Sequence, residues 1–296
     1  MKATTEYNEL RVAVEPPYEA VELELNVPVP VEDVWHAIAD PPQVRRWLGT
    51  LWGELVPGRA VRLDFGDGDF FALRVLRAEP PSLLEYTWRF LGIAPENTIT
   101  WSLGRTDDPF ATVVHLRDWE RERTREASLA LSTGWADFLA RLTRHLATGE
   151  WSRYAWREEV DATIELPVDG VHARTLLEET AHCHWLPVGA GGAVPGAVFA
   201  VEDDDPLDVV RNTRLDDDSL ELRLARRGWE ADTRCVVALT ARRSDVLLAV
   251  HHDGFRDTPL DPSAQRLLRT RIARTWIGSL KRARAAVTAS RHVALP

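Results

Sequence analysis

Two stretches carry a helical repeat of apolar positions, and each follows a series of alternating ones. Within Leu129–Leu146, the residues Leu131, Trp135, Phe138, Leu139, Leu142 and Leu146 recur at spacings of three and four. That pattern gives a helix one apolar face. Gly149 follows the last apolar position, where a helix stop is expected. Upstream, period-two alternation predicts half-buried strands. The first is Ala20–Val29, with Val21, Leu23, Leu25 and Val27 on one parity. Later runs are Val61, Leu63 and Phe65; Phe71, Leu73 and Val75; Leu84, Tyr86, Trp88 and Phe90; Ile99, Trp101 and Leu103; and Ala111–Trp119 with Val114 and Leu116. Gly66-Asp67-Gly68-Asp69 reads as a turn between two of them. Val31–Asp40 and Pro41–Gly49 read as two short helices after the first strand, the second carrying Trp47. A one-residue register error would turn every apolar side chain outward, so the apolar parity defines the inner face. A sheet with one apolar face and one long amphipathic helix bury each other best when the sheet curls around the helix.

The second half repeats this order. A strand at Asp161–Pro167 is followed by short helices at Val171–Thr180 and Ala181–Leu186, the latter carrying Trp185. Strand runs follow at Ala197–Val201, Leu207–Asn212, Leu220–Arg226, Cys235–Ala241 and Val246–His252. A closing helix starts after Asp261-Pro262, with Leu268, Ile272, Trp276, Leu280, Ala283 and Val287 as its stripe. Trp47 and Trp135 are 88 positions apart, Trp185 and Trp276 are 91. That near-equality predicts an internal duplication. The expected fold is α+β: two tandem domains, each a curved antiparallel sheet around a long C-terminal helix. Residues 1–19 would be an N-terminal arm with the option of an extra edge strand, 20–150 the first domain, 151–159 a linker and 160–290 the second domain.

Composition narrows the function. The chain has 296 residues, 45% of them hydrophobic, enough for packed cores. Its net charge of −10 opposes binding to phosphate backbones and anionic membranes. MKATTEYNEL lacks the apolar run of a signal peptide, and no run reaches membrane-span length. The expectation is a cytoplasmic protein with no nucleic-acid or membrane partner. Cys183 and Cys235 are too few for a disulfide framework and read as buried thiols. Twelve tryptophans exceed what packing alone demands and predict a wide, aromatic-lined cavity.

Candidate chemistry is sparse. His182-Cys183-His184 and His251-His252 could offer metal ligands, but 182 and 184 share a face only on a strand, and no carboxylate sits at a ligand spacing. No metal, cofactor or catalytic residue is expected. One of the pair His251 and His252 must face the interior, and His251 is taken as a ligand contact. Gly189-Ala190-Gly191-Gly192 lacks the strand–turn–helix context of a phosphate loop. The runs 203–205 and 216–218, each three aspartates, read as solvated turns. Asp64, Asp118, His115 and Asp253 are possible acid–base groups near a cavity, with Asp64 and His115 outward by parity. The residues expected to touch a ligand are Trp47, Leu63, Phe65, Phe71, Leu73, Tyr86, Trp88, Trp101, Trp135, Phe138, Leu139 and Leu142 in the first half, and Trp185, His251 and Trp276 in the second.

VEDVWHAIADPPQVRRWLG (31–49) and TGWADFLARLTRHL (133–146) resemble the opening and the closing "GW" helix of the activator-of-heat-shock-protein-90-ATPase-like branch of the SRPBCC (START-like) superfamily. VLLAVHHDGF (246–255) resembles that branch's "HxGF" strand end, although the second half lacks the opening Trp and the "GW" glycine. The resemblance implies a helix-grip fold with a hydrophobic cavity. As a tandem, the chain is similar to the dynemicin-type double-START group of enediyne self-resistance proteins, and to didomain polyketide aromatase/cyclases. Both imply a hydrophobic, polycyclic aromatic small molecule as partner. The first group implies sequestration, self-resistance or biosynthetic support, the second aromatase/cyclase chemistry. A chaperone-activator-like interaction module is the third reading.

Overall fold

The computed structural model describes residues 10–153, 156–178, 185–188 and 192–293. The chain divides into two compact units. Unit 1 is Met1–Gly66, Phe70–Gly92 and Glu96–Ala155; unit 2 is Asp67–Asp69, Ile93–Pro95 and Trp156–Pro296.

In unit 1 the strands are β1 (Arg11–Ala13), β2 (Ala20–Val27), β3 (Thr50–Trp52), β4 (Ala60–Asp64), β5 (Phe70–Glu79), β6 (Leu83–Phe90), β7 (Asn97–Arg105) and β8 (Thr112–Trp119). They form one antiparallel sheet in the order β1-β2-β8-β7-β6-β5-β4-β3. Helices α1 (Val31–Ala39) and α2 (Pro41–Trp47) join β2 to β3. The arm does supply an edge strand, β1. The long helix α3 spans Arg125–Thr148. It starts six residues before Leu131, the first of its apolar stripe, where the Thr124 hydroxyl accepts the Ala127 N–H at 3.2 Å. It stops where Gly149 takes the left-handed conformation at φ 67°.

Burial alternates along β2, β6, β7 and β8 as the apolar parity predicts. The inward residues form one core with Trp135, Leu139 and Leu142 of α3. A register shift between Val75 and Arg77 interrupts the β5–β6 ladder. Such a bulge bends and twists a sheet, which lets it close around a helix.

Unit 2 repeats the plan. Its strands are β9 (Val160–Leu166), β10 (Val198–Phe199), β11 (Leu207–Asp216), β12 (Ser219–Ala225), β13 (Thr233–Ala241) and β14 (Val246–Asp253). The order β9-β14-β13-β12-β11-β10 matches β2-β8-β7-β6-β5-β4 of unit 1 strand for strand. The shift between Val209 and Arg211 falls in β11, the counterpart of β5. A short helix α4 (Gly170–Arg174) runs into a 3-10 turn (Thr175–Leu177) after β9. The closing helix α5 spans Pro262–Val293. Asp261 Oδ1 accepts the N–H groups of Ser263 and Ala264 at its start, as the Asp-Pro pair predicts. Each unit is thus an antiparallel sheet followed by one long helix, the tandem helix-grip arrangement. No helix among the described residues is long and apolar enough to cross a membrane.

Candidate functional site

Five tryptophans anchor the two interiors, each with its indole N–H satisfied. In unit 1, Trp47 of α2 donates to the Ala37 carbonyl of α1 at 2.8 Å. In unit 2, Trp185 donates to the Leu176 carbonyl at 2.9 Å. Trp135 of α3 donates to Asp118 Oδ2 of β8 at 2.8 Å, and Trp276 of α5 donates to His252 Nδ1 of β14 at 3.1 Å. The tryptophan pairs matched by spacing therefore play matched roles. A helix Trp in each unit is held by a polar side chain from the corresponding strand. Trp101 donates to the Tyr86 hydroxyl at 3.1 Å.

Around these anchors, unit 1 builds a continuous aromatic array. Phe71 stacks on Trp88 with centroids 3.8 Å apart, and Trp88 stacks on Trp135 at 5.1 Å. Trp101 meets Trp135 edge-on at 5.7 Å, and Trp47 meets Trp101 at 6.4 Å. Phe65 lies edge-on to Phe71 and parallel to Phe138, and Tyr86 lies edge-on to Trp88. Leu63, Leu73, Leu139 and Leu142 complete the wall. Phe71 and Phe138 are only partly buried and form the outer end of the array. These rings lie against one another. Their own surfaces take up space that the tryptophan count had assigned to a wide cavity, because stacked and edge-on contacts favour ring on ring. An apolar groove of about 240 Å³ does run between β2 and α3, lined by Leu10, Leu25, Ala136, Leu139, Ala140 and Thr143.

Unit 2 is poorer in rings. Trp276 packs against Phe199 at 5.4 Å, and His252 against Phe255 at 4.9 Å. Trp185 and Trp276 are fully buried. A recess of about 740 Å³ beside α5 is lined by apolar residues of 186–188 and 198–201 together with Arg274, Arg282 and Glu202.

Among the buried polar side chains, Asp118 of β8 and His252 of β14 hold the two helix tryptophans, and strand parity turns both inward. Asp118 shares the inward parity of Val114 and Leu116 and has no exposed surface. Its carboxylate accepts from Trp135, from Asn97 Nδ2 at 2.9 Å and from Arg123 Nη2 at 2.5 Å. His252 shares the parity of Val246, Leu248 and Val250. Its Nδ1 accepts from Trp276, so Nε2 carries the hydrogen and donates to Thr233 Oγ1 at 2.8 Å. Thr233 in turn donates to the Leu224 carbonyl. Burial, reinforced by the neighbouring His251, drops the His252 pKa to about 3, so the ring is neutral.

The expectation that His251 faces the interior is corrected. It lies on the outer face of β14, between Asp161 at 2.7 Å and Asp253 at 3.1 Å. Partial burial lowers its pKa, but those two carboxylates outweigh it and leave a net rise. His115 and Asp64 face outward as parity predicts, with His115 beside Glu24 and Asp64 beside Arg62. The two aspartate runs are turns whose charges meet arginines: Asp204 meets Arg226 and Arg271, and Asp218 meets Arg174. Cys235 is a free buried thiol. His182-Cys183-His184, most of the Ala181–Leu186 helix, Gly189-Ala190-Gly191 and the arm's first nine residues lie outside the described residues. Among the described residues, no cluster of three or more His, Cys, Asp or Glu could hold a metal ion.

The sequence profile of the activator of Hsp90 ATPase homolog 1-like protein family matches residues 28–147. DynU16, a protein in the dynemicin biosynthetic locus whose crystal structure is known, is 34% identical, with a TM-score of 0.82 over 91% of this chain and 99% of that one. The chain belongs to the activator-of-Hsp90-ATPase-like family. The match to DynU16 runs through both units of this family member. Single-unit likenesses include protein MLL2253 from Mesorhizobium loti, 24% identical over 43% of this chain and 96% of that one, with a TM-score of 0.40. CalU16 from Micromonospora echinospora is 24% identical over 48% of this chain and 86% of that one, with a TM-score of 0.38. No curated protein matches this family member.

Proposed function

We propose that this protein is a cytoplasmic binder of a flat, hydrophobic, polycyclic aromatic molecule, held between sheet and α3 in unit 1, and that it serves an enediyne pathway by sequestration, self-resistance or biosynthetic support. The observation that carries this reading is the Phe71–Trp88–Trp135 stack, whose outer ring is only partly buried. A stack of parallel rings presents to a flat ligand the same surface that its own members present to each other. Rotation of Phe71 or Phe138 about χ1 would let such a ligand take a ring's place. The pathway assignment is supported by the 34% identity, along nearly the whole length, to a protein encoded in an enediyne locus.

Energetics set the expected affinity. A polycyclic ligand that buries about 350 Å² gains about 9 kcal/mol at ~25 cal/mol per Å². Micromolar binding requires about 8 kcal/mol. Parting the rings and ordering the ligand cost more than the ~1 kcal/mol that remains, so micromolar affinity is an upper limit.

The test is titration of the full chain with planar polycyclic aromatics, read by tryptophan fluorescence. Saturable quenching is expected, reached at several-fold lower ligand concentration in Phe71→Ala, which removes the ring the ligand must displace from Trp88, and unchanged in a control at exposed Val171. Titrations that stay flat overturn the reading.

A further inference from the structure

Helix α5 runs against the charge of the chain. Pro262–Val293 holds seven arginines and one lysine and neither Asp nor Glu, although the whole chain has a net charge of −10. Two of those arginines are spent on carboxylates, Arg269 on Asp69 and Arg271 on Asp204. Arg274 and Arg282 meet no carboxylate among the described residues, and both line the recess beside α5. Gly278 stands midway between them, four residues from each, and shares their helix face. The Arg282 guanidinium is held above this glycine. Its Nε donates to the Trp185 carbonyl at 3.3 Å and its Nη2 to Ser279 Oγ at 2.9 Å, which leaves Nη1 unspent. A Cβ built on Gly278 would stand 3.5 Å from that Nη1 and, outside its own helix backbone, within 4 Å of no other described atom. The glycine therefore leaves the cation uncovered and the recess open. The remaining wall is aliphatic: Leu186, Pro187, Val188, Val198, Ala200 and Val201, with no ring among them and Val198 51% exposed. Glu202 is the one acid of the lining and pairs with neither arginine.

We propose that unit 2 holds a second binding site, for an aliphatic carboxylate of the fatty-acid class, with the alkyl chain along Val188, Val198 and Val201 and the carboxylate on Arg282 Nη1. Arg274 adds positive potential on the same wall. The recess of about 740 Å³ lies in the range of small-molecule sites. A hydrocarbon would gain nothing from Nη1, and a small hydrophilic anion would gain nothing from the aliphatic wall, so the lining selects a molecule with both parts. A guanidinium already fixed by two hydrogen bonds loses little freedom on taking a carboxylate oxygen. Because no ring lines it, this site is distinct from the aromatic array of unit 1 and does not depend on what that array binds.

Octanoate and 1-octanol test this as a matched pair, equal in chain length and differing in charge. Calorimetric titration of the full chain at neutral pH and low salt should show octanoate binding about fivefold more tightly, the upper end of what a solvent-accessible ion pair is worth. That preference should shrink as salt is added. Arg282→Gln should bring the two affinities within about twofold of each other while octanol binding holds, which also shows that the variant is folded. Gly278→Leu should fill the recess and weaken both compounds several-fold. Leu is a better helix former than Gly, so the urea midpoint of that variant should not fall. Equal affinities in the wild-type chain, a preference that survives Arg282→Gln, binding indifferent to Gly278→Leu, or no octanoate binding would each overturn the inference. All four outcomes leave the fluorescence test of unit 1 untouched.

Discussion

Acid should loosen unit 2 through one side chain, His252. Its ring is fully buried and neutral, and it links Trp276 to Thr233. Protonation would put a hydrogen on Nδ1 and set two donors, that nitrogen and the Trp276 indole, against each other. The folded pKa of about 3 lies below the unfolded value of 6.5. For a base shifted downward, the native state binds fewer protons than the unfolded chain throughout that window. Its stabilisation is therefore complete above pH 6.5 and is lost progressively as pH falls toward 3. Between pH 7.5 and 5.0 only the part below 6.5 counts, about 1.5 units, or about 2 kcal/mol at 1.36 kcal/mol per unit. That is a sizeable share of a domain's usual 5–15 kcal/mol, so the effect is measurable. His251 works in the opposite sense. Its raised pKa adds stability below 6.5 that disappears as pH rises through the folded value. The comparison that isolates His252 is urea unfolding of the full chain and of His252→Asn at both pH values, followed by tryptophan fluorescence. Asn keeps an acceptor near Nδ1 and cannot titrate. The variant should be the weaker protein at pH 7.5 but should lose about 2 kcal/mol less than wild type on acidification. An equal loss in the two proteins would refute the reasoning.

Asp118→Ala breaks the buried ion pair with Arg123, which keeps the Glu120 carboxylate, and leaves the Asn97 and Trp135 donors without their acceptor. Removal of one partner from such a pair costs about 3–5 kcal/mol, so the unit 1 transition in chemical denaturation should move to markedly lower denaturant. Thr124→Ala removes the cap of α3 and should cost about 1 kcal/mol by the same assay. Burial raises the Cys235 thiol well above its ordinary pKa, so in a Cys183→Ser background the native protein should resist a thiol reagent at pH 8 and react promptly in denaturant.

Local periodicity carried most of the architecture. The stripes at three and four placed both long helices, and period two placed the inner faces of nearly every strand. The spacing of Trp47 and Trp135 against Trp185 and Trp276 exposed the duplication, which the matching strand orders and matching indole bonds display. Parity also contained two answers that were not drawn from it. Val246, Leu248 and Val250 run in step with His252, not with His251, and Val114 and Leu116 run in step with Asp118.

The chain's order of apolar and polar residues thus determined which side chains turn inward, because side-chain direction along a strand or helix depends only on neighbours a few positions away. Tertiary structure decided what those side chains meet. Phe71 comes to lie on Trp88 and Trp88 on Trp135 across three separate elements. Asp118 finds Asn97 and Arg123. Whether a ring packs or a donor is spent depends on distances between strands far apart in the chain, and no local pattern encodes those.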